Sequence, residues 1–198
     1  LHLSSRRQRQ MCIRDRVELE NTEIETETVF EVYSKCVDKK LITDGVISQS
    51  IDQARALWRL REDISETLWH FQPYKNDISV RISKMADFLN DVSQLIQKNY
   101  PDFEIIWYGH IGDGNIHLNI LKPKNLSTLQ FKSFCDGVSM SLGELISKYE
   151  GSISAEHGIG LLKKESLRFS RSEDEINLMK SIKKIFDPNA ILNPGKLI

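Results

Sequence analysis

Apolar side chains recur every three to four residues in six segments of the chain, which is the spacing of an amphipathic helix. Ser50 and Ser83 precede two of these segments. A serine hydroxyl at that position accepts a hydrogen bond from an unpaired backbone N–H group and so caps the helix. The pattern predicts helices over residues 26–40, 50–69, 83–98, 126–149, 160–167 and 172–186.

Short runs rich in β-branched, aromatic and leucine residues predict strands between these helices. The two longest runs flank Gly112-Asp113-Gly114, a composition typical of a tight hairpin turn. The predicted strands are 17–20, 45–48, 77–80, 104–108, 115–121 and 152–155. We therefore expect an α+β fold, with a mostly antiparallel sheet, helices packed on one of its faces and a helical C-terminal segment.

Composition narrows the class of protein. The chain has 198 residues and is 40% hydrophobic, which suffices for one hydrophobic core. Its net charge of -1 does not suggest nucleic acid or an anionic membrane as a partner. No apolar run approaches the roughly 18 residues of a membrane span. Cys12, Cys36 and Cys135 are far apart and odd in number, which indicates a reducing compartment and no disulfide framework.

Residues 1–16 differ from the rest of the chain. They carry several arginines without apolar periodicity, and no apolar core of a secretory signal follows them. We expect a non-native or disordered extension here, with a transit peptide as the alternative because the segment is rich in arginine and serine. The predicted domain accordingly spans residues 17–198.

Two motifs carry residues suited to chemistry. His110 precedes the predicted hairpin turn and His117 follows it, so both side chains can converge on one point. Glu156, at the end of a separate predicted strand, supplies a third donor, and two histidines with one glutamate are the ligand set of an open catalytic metal site. His157 is then free to act as a base. Asn119 shares a strand face with His117.

Simpler interpretations stay open for both motifs. The glycine-rich segment is also what an ordinary hairpin turn requires, and a histidine is more often a structural polar residue than a ligand. Asp113 is an alternative ligand, although aspartates in turns usually bond their own backbone.

A further group lies upstream. Arg61 and Ser65 are four residues apart on a predicted helix, and Lys75 precedes a predicted strand, so they are candidates for clamping a carboxylate. The alternative is a solvated Arg61 that pairs with Glu62 or Glu66.

Three ordered motifs resemble the C-terminal part of the FAD-linked D-2-hydroxy-acid dehydrogenases, which include enzymes for D-2-hydroxyglutarate, D-lactate and glycolate. The resemblance covers about residues 17–198 and leans toward the D-2-hydroxyglutarate branch at Leu41–Gly45 and Leu57–Glu62. The motifs are Tyr108–Asn119, Ser154–Gly160 and Asp187–Lys196.

The resemblance implies a role for each matching residue. It makes His157 the base that takes the hydroxyl proton while hydride leaves Cα for FAD. It also assigns one cofactor contact, Asn193, although from the residues alone that segment is a C-terminal turn. The implied ligands of a divalent metal, zinc or manganese, are His110, His117 and Glu156, and the implied substrate-binding residues are Arg61, Ser65, Lys75 and Asn119.

The chain departs from the family pattern at two positions and in extent. Ser65 stands where the family has threonine, and Arg81 stands where it usually has proline. The family's FAD-binding domain and its glycine-rich pyrophosphate segments precede the region seen here, so we expect this chain to be inactive without a flavin domain.

Three functions therefore compete: part of a flavoprotein that oxidises a D-2-hydroxy acid to a 2-oxo acid, a flavin-free metal-dependent hydrolase, and a non-catalytic binding module. The sequence does not name the electron acceptor, which stays open between a quinone, an electron-transfer flavoprotein and a cytochrome, and it is compatible with a homodimer. The compartment stays open between a bacterial cytoplasm and a mitochondrial matrix.

Overall fold

The computed structural model describes residues 15–18 and 23–198, which form two compact units with the boundary after Ser65. Most of the predicted N-terminal extension lies outside the described residues. Of the strand predicted over 17–20, Val17 and Glu18 are irregular, and the other two positions lie outside the described residues.

Helices make up the regular structure of the first unit. Helix α1 spans Glu23–Asp38 and helix α2 spans Ile51–Glu62. Helix α3, Ile64–Trp69, contains the boundary between the units. The helix predicted over 50–69 is thus interrupted at Asp63, while Ser50 caps its start as predicted, since its hydroxyl accepts from the backbone N–H of Gln53 at 3.2 Å.

The strand predicted over 45–48 is wrong, because this segment is irregular and exposed. An isolated run of four residues gains no stability as a strand unless a neighbouring strand pairs with it.

A three-stranded antiparallel sheet organises the second unit. Strands β1 (Tyr74–Ser79), β2 (Glu104–His110) and β3 (Asn115–Leu121) lie in the order β1-β3-β2, so that β3 is central. The predicted hairpin is confirmed, since β2 and β3 pair directly across the turn. Strand β1 begins three residues before its predicted start, and it pairs with β3 along its whole length.

One face of the sheet is covered by helices, as predicted. Helices α4 (Met85–Asn99) and α5 (Thr128–Lys148) pack on the apolar residues of the strands, and together they form a single hydrophobic core. Alternate residues of a strand point to opposite faces, so the residues between them face away from these helices. The fully buried centre of the core contains Ile78, Phe88, Val92, Leu118, Ile120 and Val138.

Helix α6, Glu173–Phe186, follows, and Ser172 and Glu175 form a capping box at its start. The α+β prediction with a helical C-terminal segment is confirmed. Among the described residues, the longest apolar stretches of helix still fall short of what a membrane span requires.

Three local predictions in this unit are wrong. Ser83 does not cap α4, because a short 3-10 helix, Ile82–Lys84, comes first. The strand predicted over 152–155 is reduced to one bridge with Ser79, since the Ser152 hydroxyl bonds the following backbone and so competes with strand pairing. The helix predicted over 160–167 is a series of turns, which begins at Gly160 with a positive φ of 56°.

Candidate functional site

Polar side chains cover the sheet face that looks away from α4 and α5. Residues opposite each other on antiparallel strands share a face, so the register of β1, β3 and β2 arranges these side chains in three rows across the sheet. The rows are Lys75–Asn119–Ile106, Asp77–His117–Tyr108 and Ser79–Asn115–His110.

The hairpin turn fixes one end of this face. The Asp113 side chain accepts the backbone N–H of Asn115 at 2.9 Å, which is the turn interaction expected of it. Gly114 has a φ of 78°, a conformation that suits glycine, and its carbonyl accepts the N–H of Val80 at 3.0 Å. The turn is thereby joined to the end of β1, which holds His110 and Asn115 on either side of it.

Glu156 and His157 reach the same face from the loop that follows the bridge at Ser152. The Asp77 carboxylate in β1 accepts the backbone N–H groups of Glu156 at 2.8 Å and of His157 at 3.0 Å. Asp77 is only 2% exposed. The Asp77 side chain in this way contacts two residues that lie 79 and 80 positions further along the chain.

The charged and imidazole groups are close enough to act on a common ligand. Glu156 lies 3.7 Å from Nδ1 of His110 and 4.0 Å from Nε2 of His117. The Asp77 carboxylate lies 3.8 Å from Nδ1 of His117 and 3.5 Å from Nδ1 of His157. The ring centres of His117 and His157 are 5.9 Å apart, and that of Tyr108 is 4.9 Å from His117.

Burial and hydrogen bonding act on the Asp77 carboxyl in opposite directions. Burial raises its pKa, but the backbone N–H groups of Glu156 and His157 and electrostatic interaction with His157 and Lys163 outweigh this, so that the pKa is lowered overall. Lys163 is itself desolvated, which lowers the pKa of its amine. That amine donates to the Ile153 carbonyl at 3.0 Å and to the Ser154 hydroxyl at 3.2 Å, and so fastens the base of the loop.

Three buried acceptor oxygens on this face have no hydrogen-bond partner among the described residues: Oδ1 of Asp77, of Asn115 and of Asn119. A buried acceptor without a partner costs about 1–3 kcal/mol, so such groups are normally satisfied by a ligand, ion or water. The other end of the Asn115 side chain donates to the Glu156 carboxylate. This arrangement fits a cation or a hydrogen-bonding substrate.

A compact donor set for a metal ion is present among the described residues. Single donor atoms from Asp77, His117 and Glu156 lie within 4.8 Å of one another. The predicted set shares His117 and Glu156 with this group, and His110 lies beside Glu156. Sequence reasoning missed Asp77 and Asn115. Aspartate is depleted in strands, so its place at the first position of the predicted strand 77–80 could have drawn attention to Asp77.

The predicted substrate residues fall in both units. Lys75 and Asn119 are cross-strand partners in the row next to Asp77 and His117, and the Lys75 amine lies 5.9 Å from the Trp69 ring centre. Arg61 lies in α2 and Ser65 in α3, both in the first unit. The two residues were expected on one continuous helix, but that helix is interrupted between them.

Asn193 lies in the C-terminal turn at a φ of 47°. Its side-chain oxygen accepts from the Lys196 amine at 3.2 Å, and its backbone carbonyl accepts from the Lys196 N–H at 3.1 Å. The turn expected from the residues is therefore present, and the cofactor contact stays a prediction.

Comparison with known proteins relates this chain to a family. Residues 16–197 match the model of "FAD linked oxidases, C-terminal domain". The chain is 50% identical over 176 residues to D-2-hydroxyglutarate dehydrogenase of Stutzerimonas stutzeri, covering 89% of this chain and 38% of that protein.

More distant relatives are also named as dehydrogenases of D-2-hydroxy acids. The chain is 36% identical over 180 residues to the mitochondrial D-2-hydroxyglutarate dehydrogenase of Danio rerio, covering 90% of this chain and 32% of that protein. It is 36% identical over 189 residues to a putative mitochondrial D-lactate dehydrogenase of Schizosaccharomyces pombe, covering 90% and 35% respectively. The chain thus spans about a third of the length of these relatives.

Proposed function

The chain belongs to the family of FAD-linked oxidase C-terminal domains, and we propose that it forms the substrate-binding part of a flavoprotein that oxidises a D-2-hydroxy acid to a 2-oxo acid. The observation that carries the proposal is the cluster on the polar sheet face, where His157 stands beside Glu156, His117 and Asp77 with unsatisfied buried acceptors around them. The names of the relatives point to the same substrate class.

Binding of the substrate carboxylate is the first task of these residues. Lys75 supplies an ammonium group beside Asn119 in the row next to the cluster. Arg61 and Ser65 are proposed to contribute through the resemblance alone, since an arginine binds a carboxylate with two parallel hydrogen bonds. A second carboxylate on the substrate, as in 2-hydroxyglutarate, would give these cations an additional anionic group to bind.

A divalent ion, zinc or manganese, is proposed to be held by His117 and Glu156 with His110 or Asp77. The partnerless oxygens of Asp77 and Asn119 and the convergence of three donor atoms within 4.8 Å fit such an ion. When bound, it would supply a Lewis acid that makes the substrate hydroxyl more acidic.

Oxidation of a 2-hydroxy acid removes one hydride from Cα and one proton from the hydroxyl oxygen. His157 is proposed to take the proton, because its side chain is 63% exposed and lies beside the candidate metal ligands. FAD supplies the hydride acceptor.

We further propose that the electrons pass to a quinone or an electron-transfer flavoprotein. The compartment is proposed to be the mitochondrial matrix in a eukaryote, in line with the names of the eukaryotic relatives, or the cytoplasm in a bacterium.

The test uses the protein translated from the entire coding sequence, because this chain spans only 38% of the relative from Stutzerimonas stutzeri. Both enantiomers of 2-hydroxyglutarate and of lactate, together with the achiral glycolate, are mixed with it anaerobically, and flavin bleaching is followed by stopped-flow absorbance. We expect bleaching with a D-2-hydroxy acid and not with its L enantiomer. Failure of every one of these acids to reduce the flavin would refute the proposal.

Two variants separate the roles within the cluster. His117→Ala is expected to lose both the metal and activity, because it removes a ligand. His157→Ala is expected to keep its metal content and lose flavin reduction, because only the proton acceptor is missing. Metal is measured by mass spectrometry of the purified protein. Flavin reduction at the wild-type rate in His157→Ala would show that the proton is taken elsewhere.

A further inference from the structure

Asp77 is the most buried charged side chain on the polar sheet face, and its carboxylate contacts Glu156, His157 and His117. We propose that Asp77 is a positioning residue, whose carboxylate sets the place of the loop carrying Glu156 and His157 against His117. In this role it acts through those three residues and does not itself touch substrate. The part of the inference that concerns catalysis rests on the function proposed above.

The backbone of the loop is held by this one residue of β1. Three consecutive N–H groups, those of Ala155, Glu156 and His157, donate to Asp77 at 3.3, 2.8 and 3.0 Å. The first goes to the backbone carbonyl and the other two go to the same carboxylate oxygen. Beyond the bridge at Ser152 the loop has no strand partner among the described residues, so these bonds replace the ladder that a strand would have provided.

The second carboxylate oxygen faces the imidazole of His117. It lies 3.8 Å from Nδ1, while Nε2 of the same ring lies 4.0 Å from Glu156. The two ring nitrogens are therefore directed at different carboxylates. A histidine that uses one nitrogen as a donor to a metal commonly turns the other toward a carboxylate that fixes the ring orientation, and Asp77 occupies that place for His117.

A direct ligand role for Asp77 is the competing explanation, since its donor atom belongs to the compact set with His117 and Glu156. The two roles differ when no metal is present. A residue that acts only as a ligand leaves the metal-free loop unchanged when it is removed, whereas a residue that positions the loop keeps its amides protected without any metal.

The decisive experiment is amide hydrogen exchange of the 198-residue chain in the presence of a chelator, for wild type, Asp77→Asn and Asp77→Ala. Loss of the shared acceptor in Asp77→Ala is expected to speed exchange at Glu156 and His157 about tenfold or more, the equivalent of a lost charge-assisted hydrogen bond. Asp77→Asn keeps one acceptor oxygen and is expected to stay within about threefold of wild type. Circular dichroism verifies that both variants are folded.

A matched control removes a paired carboxylate elsewhere. Asp91 accepts from the Lys148 amine and the Tyr149 hydroxyl, both at 2.8 Å, on the helical side of the same unit. Asp91→Ala should leave exchange at Glu156 and His157 unchanged. Wild-type exchange at these two amides in Asp77→Ala, or equal acceleration in the Asp91 control, would overturn the proposal.

The complete flavoprotein gives the second readout. Asp77→Asn is expected to keep the loop in its wild-type position. The kcat of Asp77→Asn should therefore exceed that of Asp77→Ala about tenfold, and the KM of Asp77→Asn should stay within about threefold of wild type. Equal loss of kcat in both variants would show that the charge of Asp77 matters and its position as acceptor does not, which would contradict the inference. If the wild-type protein oxidises no hydroxy acid, the proposed function fails, and the exchange experiment still decides the role of Asp77.

Discussion

Replacement of Gly114 by alanine tests how the hairpin turn supports the site. At a φ of 78° an L-residue pays about 1–2 kcal/mol relative to glycine. The added Cβ would also fall against the carbonyl oxygen of Val80, which is backbone and cannot rotate away. Relief of that clash requires the turn to move from β1, and the 3.0 Å bond from the Val80 N–H to the Gly114 carbonyl then contributes about 1 kcal/mol less.

We therefore expect Gly114→Ala to lower the free energy of unfolding by about 2–3 kcal/mol, the sum of the conformational cost and the lost bond. Two glycines of the same chain serve as matched controls. Gly158 has a φ of 73° but open space around its Cβ position, so Gly158→Ala isolates the conformational cost of about 1–2 kcal/mol. Gly112 has neither a positive φ nor a close neighbour, so Gly112→Ala is expected to change stability by less than about 0.5 kcal/mol.

Urea unfolding followed by circular dichroism measures the three free energies under one set of conditions. Zinc titration of the folded variants adds a functional readout, since Asn115 follows Gly114 and donates to the Glu156 carboxylate. Gly114→Ala should bind zinc more weakly than Gly112→Ala. The reasoning is refuted if Gly114→Ala unfolds at the same urea concentration as Gly112→Ala, because the turn would then tolerate both the strained φ and the close Val80 carbonyl.

Three further predictions concern the core, the C-terminal turn and the substrate. Leu118→Ala should cost about 2–5 kcal/mol in urea unfolding, because it leaves a cavity at a side chain with no exposure. Burial raises the pKa of Asp187, but the Lys183 amine and two backbone N–H groups outweigh it and lower the pKa overall. The ionised carboxylate therefore stabilises the fold above pH 3.8, and this contribution is lost as the pH falls through the lowered pKa. Asp187→Ala should therefore lower the melting temperature at neutral pH, and the difference from wild type should vanish in strong acid. In the complete flavoprotein, Arg61→Ala should raise the KM for a dicarboxylic hydroxy acid about tenfold or more, and an unchanged KM would show that Arg61 does not bind the substrate.

Helices and their caps were largely predictable from the sequence because their hydrogen bonds join residues four apart. Ser50 caps α2 as the pattern indicated, whereas Ser83 was displaced by a 3-10 turn that periodicity does not reveal. The hairpin was predictable for a similar reason, since its turn residues and both strands are adjacent in the chain. The motifs around His117 and Glu156 could also be recognised locally.

The composition of the site depended on contacts between distant segments. Asp77 lies opposite His117 only because β1 pairs with β3 in one particular register, and a shift of one residue would turn it to the other face. The segment 45–48 has strand-like residues but no partner, and 152–155 is held by a single bridge.

The sequence by itself determined most of the helices, the hairpin and the motifs that carry His117 and Glu156, because each follows from neighbours along the chain. Only the tertiary structure decided that Asp77 and Asn115 belong to the site, because a buried carboxylate or amide acquires its role from the groups that surround it. Those groups come from β1, the hairpin and the loop at Glu156, and no local pattern specifies the distances between them.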